Sequence, residues 1–306
     1  PAAALVDLSA GGGEAAGSRL GVVYHHLTAN SVSRALRELG AIAAGPAPPG
    51  GGGCFDRLAA VVASCGGAST RGSEGRQWLR QQVSEWRSRG VHKSMGAPLW
   101  KIYCLLAGDL DDVVAEALDW RTAFGMFLWY GCPLVHQDCD GSDDLLRAVC
   151  RFEDAVLRHG SACSFRPVPP YAALRAKHRL PLEKVWRGAL HSTAQLEVRD
   201  LHFNIIRSAV GLVEWDDLTN FDYHTYTACP LDVACSWHVS LLILALCGGD
   251  IESSSFQQLT QQYCFLLELL GHWEWAVHVA LFLGDACARA RAVQGLLRRH
   301  AAGALG

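Results

Sequence analysis

Residues 269–285 read LLGHWEWAVHVALFLGD, and whether this run is a metal site, a ligand box or plain packing decides what kind of molecule the chain is. On an α-helix, with 3.6 residues per turn, His272 and His278 fall on roughly opposite faces and cannot share an ion. Trp275, Val279 and Phe282 recur at i, i+4 and i+7, with Ala276 and Leu283 alongside. That period predicts a helix over 272–284, with Trp273 and Trp275 in the core of the packed helices.

The same period extends outward in both directions. Toward the C-terminus it predicts a helix over 287–300, and toward the N-terminus helices over 255–270, 231–247 (with Trp237 in the core) and 194–210, the last carrying Leu201, Ile205, Ile206 and Ala209. RPVPPY at 166–171 breaks the chain, and 172–193 is basic and weakly patterned, a linker with one short helix. Before it, Leu145, Val149, Phe152 and Val156 keep helical period from Ser142 to about Leu157. Asp119 is a helix cap for WRTAFGMFLWYG, which is apolar nearly all round and so predicts a core element containing Trp120, Phe124 and Phe127. Pro98 opens a helix with Leu99, Ile102, Tyr103 and Leu106 on one stripe, closed by Gly108. Residues 75–88 set Trp78, Leu79, Val83 and Trp86 together, and 31–44 and 55–64 make a helix pair around AGPAPPGGGG, a low-complexity loop expected to be mobile. No segment alternates as a half-buried strand does, so the fold class is all-α, without a fixed-period repeat. The organisation read from this pattern is a flexible segment at 1–23 and a single helical domain at 24–300. That domain divides into 24–165, a linker or insertion at 166–193 and returning helices at 194–300, before a fragment end at 301–306.

Composition excludes several function classes. With 306 residues, 50% hydrophobic and 19% charged, the chain is too apolar for disorder and long enough for a large core or several stacked helical units. A net charge of −3, with scattered basic residues, provides no field for direct nucleic-acid binding. The longest apolar run, VSLLILALC at 239–247, is about half of what a membrane span needs. The twelve cysteines include no C-x-x-C pair; most, such as Cys104, Cys150, Cys235 and Cys264, sit in apolar helical patterns and read as small buried hydrophobes of a reducing compartment, cytoplasm or nucleus. PAAALVDLSAGGG has no secretory pattern, and without an initiator methionine the chain reads as a fragment.

Catalytic motifs are missing. The glycine clusters at 11–13, 50–53 and 66–67 lack the lysine of a phosphate-binding loop, no HExxH is present, and Ser94 in HKSMG lacks the first glycine of a nucleophile elbow. DCDGSDD at 138–144 has its glycine at the wrong position for a calcium loop and reads as a solvated cap. His25 and His26 diverge by about 100° on a helix, so neither a metal nor a cofactor is expected. The tryptophans lie among leucines at helical spacing, which favours core packing over base stacking, with a few left as anchors for another protein.

LLAG (105–108), LDWRTAFGMFLWY (118–130), VRDLHFNIIR (198–207), PLDVACSWHV (230–239), LLGHWEWAVHVAL (269–281) and AVQGLLRRH (292–300) resemble, in that order, the helical scaffold nucleoporins of the 96-kilodalton type. YHHLTANSVSRALRELG (24–40) is similar to the first helix pair of the same region. The resemblance implies an ancestral coatomer element, an irregular helical solenoid that runs out, forms a crown and folds back along a trunk. It implies a non-enzymatic scaffold subunit of the Y-shaped coat of the nuclear pore complex at the nuclear envelope, serving nucleocytoplasmic transport. The implied partners are the 107-kilodalton scaffold nucleoporin, through the crown, and a β-propeller protein shared with the COPII vesicle coat, whose donated strand lies outside this chain. The crown falls at 75–88 and 98–106. Trp78, Leu79, Trp86, Leu99 and Tyr103 are therefore candidate partner-binding residues, unless they simply pack on one another. The alternative function is a helical coat subunit of vesicle traffic.

Overall fold

The computed structural model describes residues 14–45, 54–67, 70, 73–131, 141–159, 164–171, 199–214, 221–247 and 253–304. Most of the glycine-rich loop at 44–53, all of the expected 172–193 linker and Trp215 lie outside them. Every regular element among the described residues is helical. The chain divides into two compact units, Pro1–Arg166 and Pro167–Gly306.

The first unit contains α1 (Glu14–Thr28), α2 (Val32–Ala43), α3 (Cys54–Cys65), α4 (Glu74–Ser88), α5 (Ala97–Ala107), the short α6 (Asp111–Val114), α7 (Trp120–Met126) running into a π-turn at Phe127–Gly131, and α8 (Gly141–His159). Helix α1 starts inside the stretch expected to be flexible up to residue 23; its buried Leu20, Val23, Tyr24 and Leu27 keep i, i+3, i+4 and i+7 spacing. Local signals set several boundaries. Ser73 accepts a hydrogen bond from the Arg76 N–H at the start of α4, and Asp119 from the Thr122 N–H at the start of α7. Proline stands in the first turn of α5, and Gly108 closes that helix at φ 74°. Only glycine fits there, because a Cβ would lie 2.4 Å from the Tyr130 carbonyl oxygen as well as demanding the left-handed region.

Helix α5 is the centre of this unit: Leu99 and every residue from Ile102 to Ala107 are buried, and α1, α3, α4 and the π-turn all pack against it. Beside it, the Phe152 ring of α8 meets Phe124, Phe127 and Phe165 at 5.7, 6.0 and 6.2 Å. Arg76 keeps the period of Leu79 and Val83, and although its charge would favour solvent it is only 2% exposed. Its guanidinium donates to the carbonyls of Cys65 (2.6 Å), Gly67 (2.9 Å) and Trp129 (3.3 Å) and lies over the Tyr130 ring. Tyr130 in turn donates to the Leu27 carbonyl. Carbonyls that no helix satisfies are thus paired from the side, which is what burial of a loop requires.

The second unit contains α9 (Leu201–Ala209), α10 (Ala234–Cys247), α11 (Ser254–Leu269), α12 (Trp273–Ala280) and α13 (Ala286–Ala304). From α10 onward each helix packs on the next in chain order. Asp200 caps α9 and Ser253 caps α11. Trp237 anchors the core: its ring meets Tyr263 at 5.1 Å and Phe282 at 5.4 Å, stacks on Phe256, and its indole N–H donates to the Thr260 hydroxyl. Two expectations need correction here. Trp275 is 65% exposed, because the buried face of α12 is Ala276, Val279 and Ala280, continued by Leu283, and Trp275 stands about 100° to its side. Trp273 is half-buried and stacks on His300 rather than entering the core. Among the cysteines, Cys104 is buried and Cys264 half-buried, but Cys150 and Cys235 are exposed, contrary to their reading as core residues.

Candidate protein-binding surfaces

The five residues expected to meet a partner separate into two groups. On α4, Leu79, Val83 and Trp86 face inward with Arg76, while Trp78, one residue and about 100° from Leu79, is 51% exposed. On α5, Leu99 and Tyr103 are buried, and Tyr103 packs edge-to-face on Trp86 at 5.3 Å. Leu79, Trp86, Leu99 and Tyr103 therefore join α4 to α5 and are inaccessible to another chain. A stripe that looked too wide for one neighbour is an internal helix contact plus a single outward tryptophan. Trp78 stands on the solvent side of α4, where Glu74, Gln77 and Gln81 are also exposed.

Below α4, Arg87 bridges Asp109 and Asp112 at 2.6 Å each and lies 5.7 Å from the Trp100 ring centre. This cluster ties the end of α4 to the α5–α6 turn. Burial, reinforced by Asp109 and Asp112, pushes the nearby Cys104 thiol up to about 12, so it stays protonated and inert.

The second unit exposes more apolar surface than the sequence pattern shows. Leu242 and Leu246 form an i, i+4 pair on the outer side of α10, and Phe265 and Leu269 form another on α11. On α11 this pair points away from the buried Phe256, Leu259 and Leu267 and shares its face with exposed Gln258, Gln261 and Gln262. Those glutamines were the available signal that Phe265 faces solvent. On α10, apolar all round, no such signal exists.

A third feature is a groove of about 430 Å³ between α1 and α7, with Tyr24 and Thr28 on one wall and Gly125 and Trp129 on the other. Among the described residues no three metal-ligating side chains come together, and no helix is long and apolar enough to cross a membrane. The sequence profile of the family described as nuclear protein 96, Nup96, matches residues 22–305.

The chain belongs to the Nup96 family. It is also 22% identical, over 255 residues, to the nuclear pore complex protein Nup98-Nup96 of Dictyostelium discoideum, a match covering 80% of this chain and 11% of that relative. The chain thus corresponds to a small part of a much longer protein, and the region shared with the Nup96 family includes both helical units. Trp78, the apolar pairs of α10 and α11, and Trp275 all lie within it.

Proposed function

We propose that this nucleoporin chain is a structural, non-enzymatic scaffold segment of the nuclear pore complex at the nuclear envelope, working through helical protein–protein interfaces in support of nucleocytoplasmic transport. The observation that carries the reading is the placement of large apolar side chains outside the core. Trp78, Leu246, Phe265, Leu269 and Trp275 are more than half exposed on helices whose opposite faces are fully packed. Rigid aromatic and aliphatic groups on a fixed helical surface are what interface centres use. The Nup96 match supports a place at the pore over a place in a vesicle coat.

Within the pore, the finer reading is a subunit of the Y-shaped coat in which the α4–α5 region is a crown surface for the 107-kilodalton scaffold nucleoporin, with Trp78 as its anchor. Trp78→Glu is the direct test. Because Trp78 is 51% exposed and stands off the buried stripe of α4, the variant's helicity and melting should change little. It weakens binding to the 107-kilodalton nucleoporin by about 2 kcal/mol or more, as loss of a central interface aromatic does. Unchanged affinity would remove α4 from that interface. Mass spectrometry of proteins cross-linked to the full-length chain in cells tests the coarser reading: recovery of vesicle-coat subunits in place of nucleoporins would overturn it.

A further inference from the structure

Helix α13 concentrates positive charge. It holds four of the chain's 27 lysines and arginines and none of its 30 acids. Its inner side is occupied: Leu296 is buried, Ala292 and Val293 pack on the core of the unit, Arg289 donates to the carbonyls of Leu281 and Leu283, and Arg299 is held by Glu268.

The outer side is not. Cys287, Ala290, Gln294 and Leu297 are all exposed, and they follow one another at steps of three, four and three residues. That alternation is the spacing by which one helix meets another along a coiled-coil seam. Arg291 and Arg298, also exposed, each come directly after an apolar member of this row. They therefore flank it on one edge, one heptad and roughly 10.5 Å apart. Neither is spent on the rest of the fold. Arg291 donates to the Cys287 carbonyl of its own helix, and among the described residues Arg298 has no hydrogen bond or ion pair. Asp285, at the start of the helix, faces the charge of Arg289 and Arg291, but its two oxygens accept from the Cys287 and Ala288 N–H groups.

We propose that the outer face of α13 pairs with an acidic amphipathic helix of another protein, its apolar residues seated on Ala290 and Leu297 and its carboxylates on Arg291 and Arg298. Side-chain size and charge select this occupant. Small groups at Cys287 and Ala290 let a second helix come close, yet give little apolar area to sink into a lipid surface, which takes large residues on the free side. Two arginines on the edge of an uncharged row suit the flanking glutamates of a facing helix. Nucleic acid would need basic groups along its whole track, and the rest of the chain is net acidic. A second copy of α13 has no carboxylate to offer. Gln294, the polar member of the row, sets the register of the pair, as one amide inside such a seam does. This interface is additional to the one at Trp78 and holds whichever assembly the chain enters.

The probe is a synthetic three-heptad helix with leucine on its seam and glutamate on both flanks, titrated into the full 306-residue chain. A lysine-flanked version is the control. The glutamate peptide should bind and the lysine peptide should not. The double variant Arg291→Glu/Arg298→Glu should melt near wild type, bind the glutamate peptide about tenfold or more weakly, and gain affinity for the lysine peptide. Arg298→Glu alone should show part of the same exchange, and it decides the matter if the double variant unfolds. Cys287 lies within the row, so bound peptide should slow its alkylation by a maleimide, while the exposed Cys150 of α8 keeps its rate. No binding of the glutamate peptide, equal binding of the two peptides, or an unprotected Cys287 in the complex would overturn the proposal. So would a double variant that loses DNA or phosphatidylserine vesicles but not the peptide, which would make α13 a polyanion site.

Discussion

The two units solve the same packing problem to different degrees. In the first, α5 is enclosed by four elements, and among the described residues only Val22, Trp78, Leu118 and Leu157 leave a large apolar side chain exposed. In the second, the helices from α10 onward stack in chain order, and among the described residues their outer faces keep many large apolar side chains exposed. Leu242, Leu246, Phe265, Leu269, Leu270, Trp275, Leu281 and Leu297 remain exposed there. A helix enclosed by its neighbours is core; a helix in a row is half core and half exposed. The comparison places internal packing at the α4–α5 contact and exposed apolar surface on the outer faces of α10, α11 and α12.

The largest effects should come from the centre of each unit. Phe152→Ala in the first and Trp237→Ala in the second each empty an aromatic site with three ring neighbours. Each should cost about 3–5 kcal/mol in urea denaturation, as large-to-small core changes do. A cost below about 1 kcal/mol at Trp237 would mean that the second unit lacks a fixed core. Next comes Arg76→Met, which keeps much of the buried volume but strands the carbonyls of Cys65, Gly67 and Trp129. A loss of about 2–3 kcal/mol is expected, with no counterpart in the second unit, because no arginine there is buried in the same way among the described residues.

Sequence signals were sharp where a single residue type has one mechanical use. Asp119, Pro98 and Gly108 placed the ends of α5 and the start of α7, and the all-α class followed from period alone. Signals were weak where two stripes overlap. In 272–284 the set Trp275, Val279, Phe282 and the set Ala276, Val279, Ala280, Leu283 both keep helical spacing. The second set faces inward because small residues let α12 approach α11 closely: the Cys264 thiol reaches the Ala276 carbonyl at 3.5 Å. Hydrophobicity favours the tryptophan for the core; backbone proximity favours the alanines, and here it prevails. Arg76 was illegible for the opposite reason, since its burial depends on carbonyls supplied by a loop and a π-turn far along the chain. The first half of α1 was obscured by the glycines before it, although Leu20, Val23, Tyr24 and Leu27 already showed the period.

A smaller effect tests the exposed half of the comparison. Trp275→Ala should change stability by no more than about 0.5 kcal/mol, as substitutions away from packed features do. Its ring meets that of the exposed His278 at 6.2 Å. A cost of 3 kcal/mol or more would restore it to the core. Phe265→Glu, on the outer face of α11, should likewise fold normally and lower self-association at high concentration, read by light scattering.

The smallest effect concerns the ion cluster that holds α11 to α13. Glu268 accepts hydrogen bonds from Arg299 at 2.6 and 2.9 Å and faces His300 at 2.8 Å, with Trp273 stacked on that imidazole. The Arg299 hydrogen bonds first, and then the His300 contact, hold the Glu268 carboxyl below the ordinary glutamate range. A carboxylate whose folded pKa is depressed stabilises the fold fully above its unfolded value, about 4.3, and loses that contribution as pH falls through the lower folded value. The melting difference between wild type and Glu268→Gln should therefore be constant from neutral pH to about 5 and vanish in stronger acid. Because Arg299 lies at the surface, the difference should amount to a few degrees at most and shrink in high salt. A difference that survives acid and salt alike would place the effect of Glu268 in packing, and the α11–α13 contact would then be a fixed part of the second unit's core rather than a titratable tie at its edge.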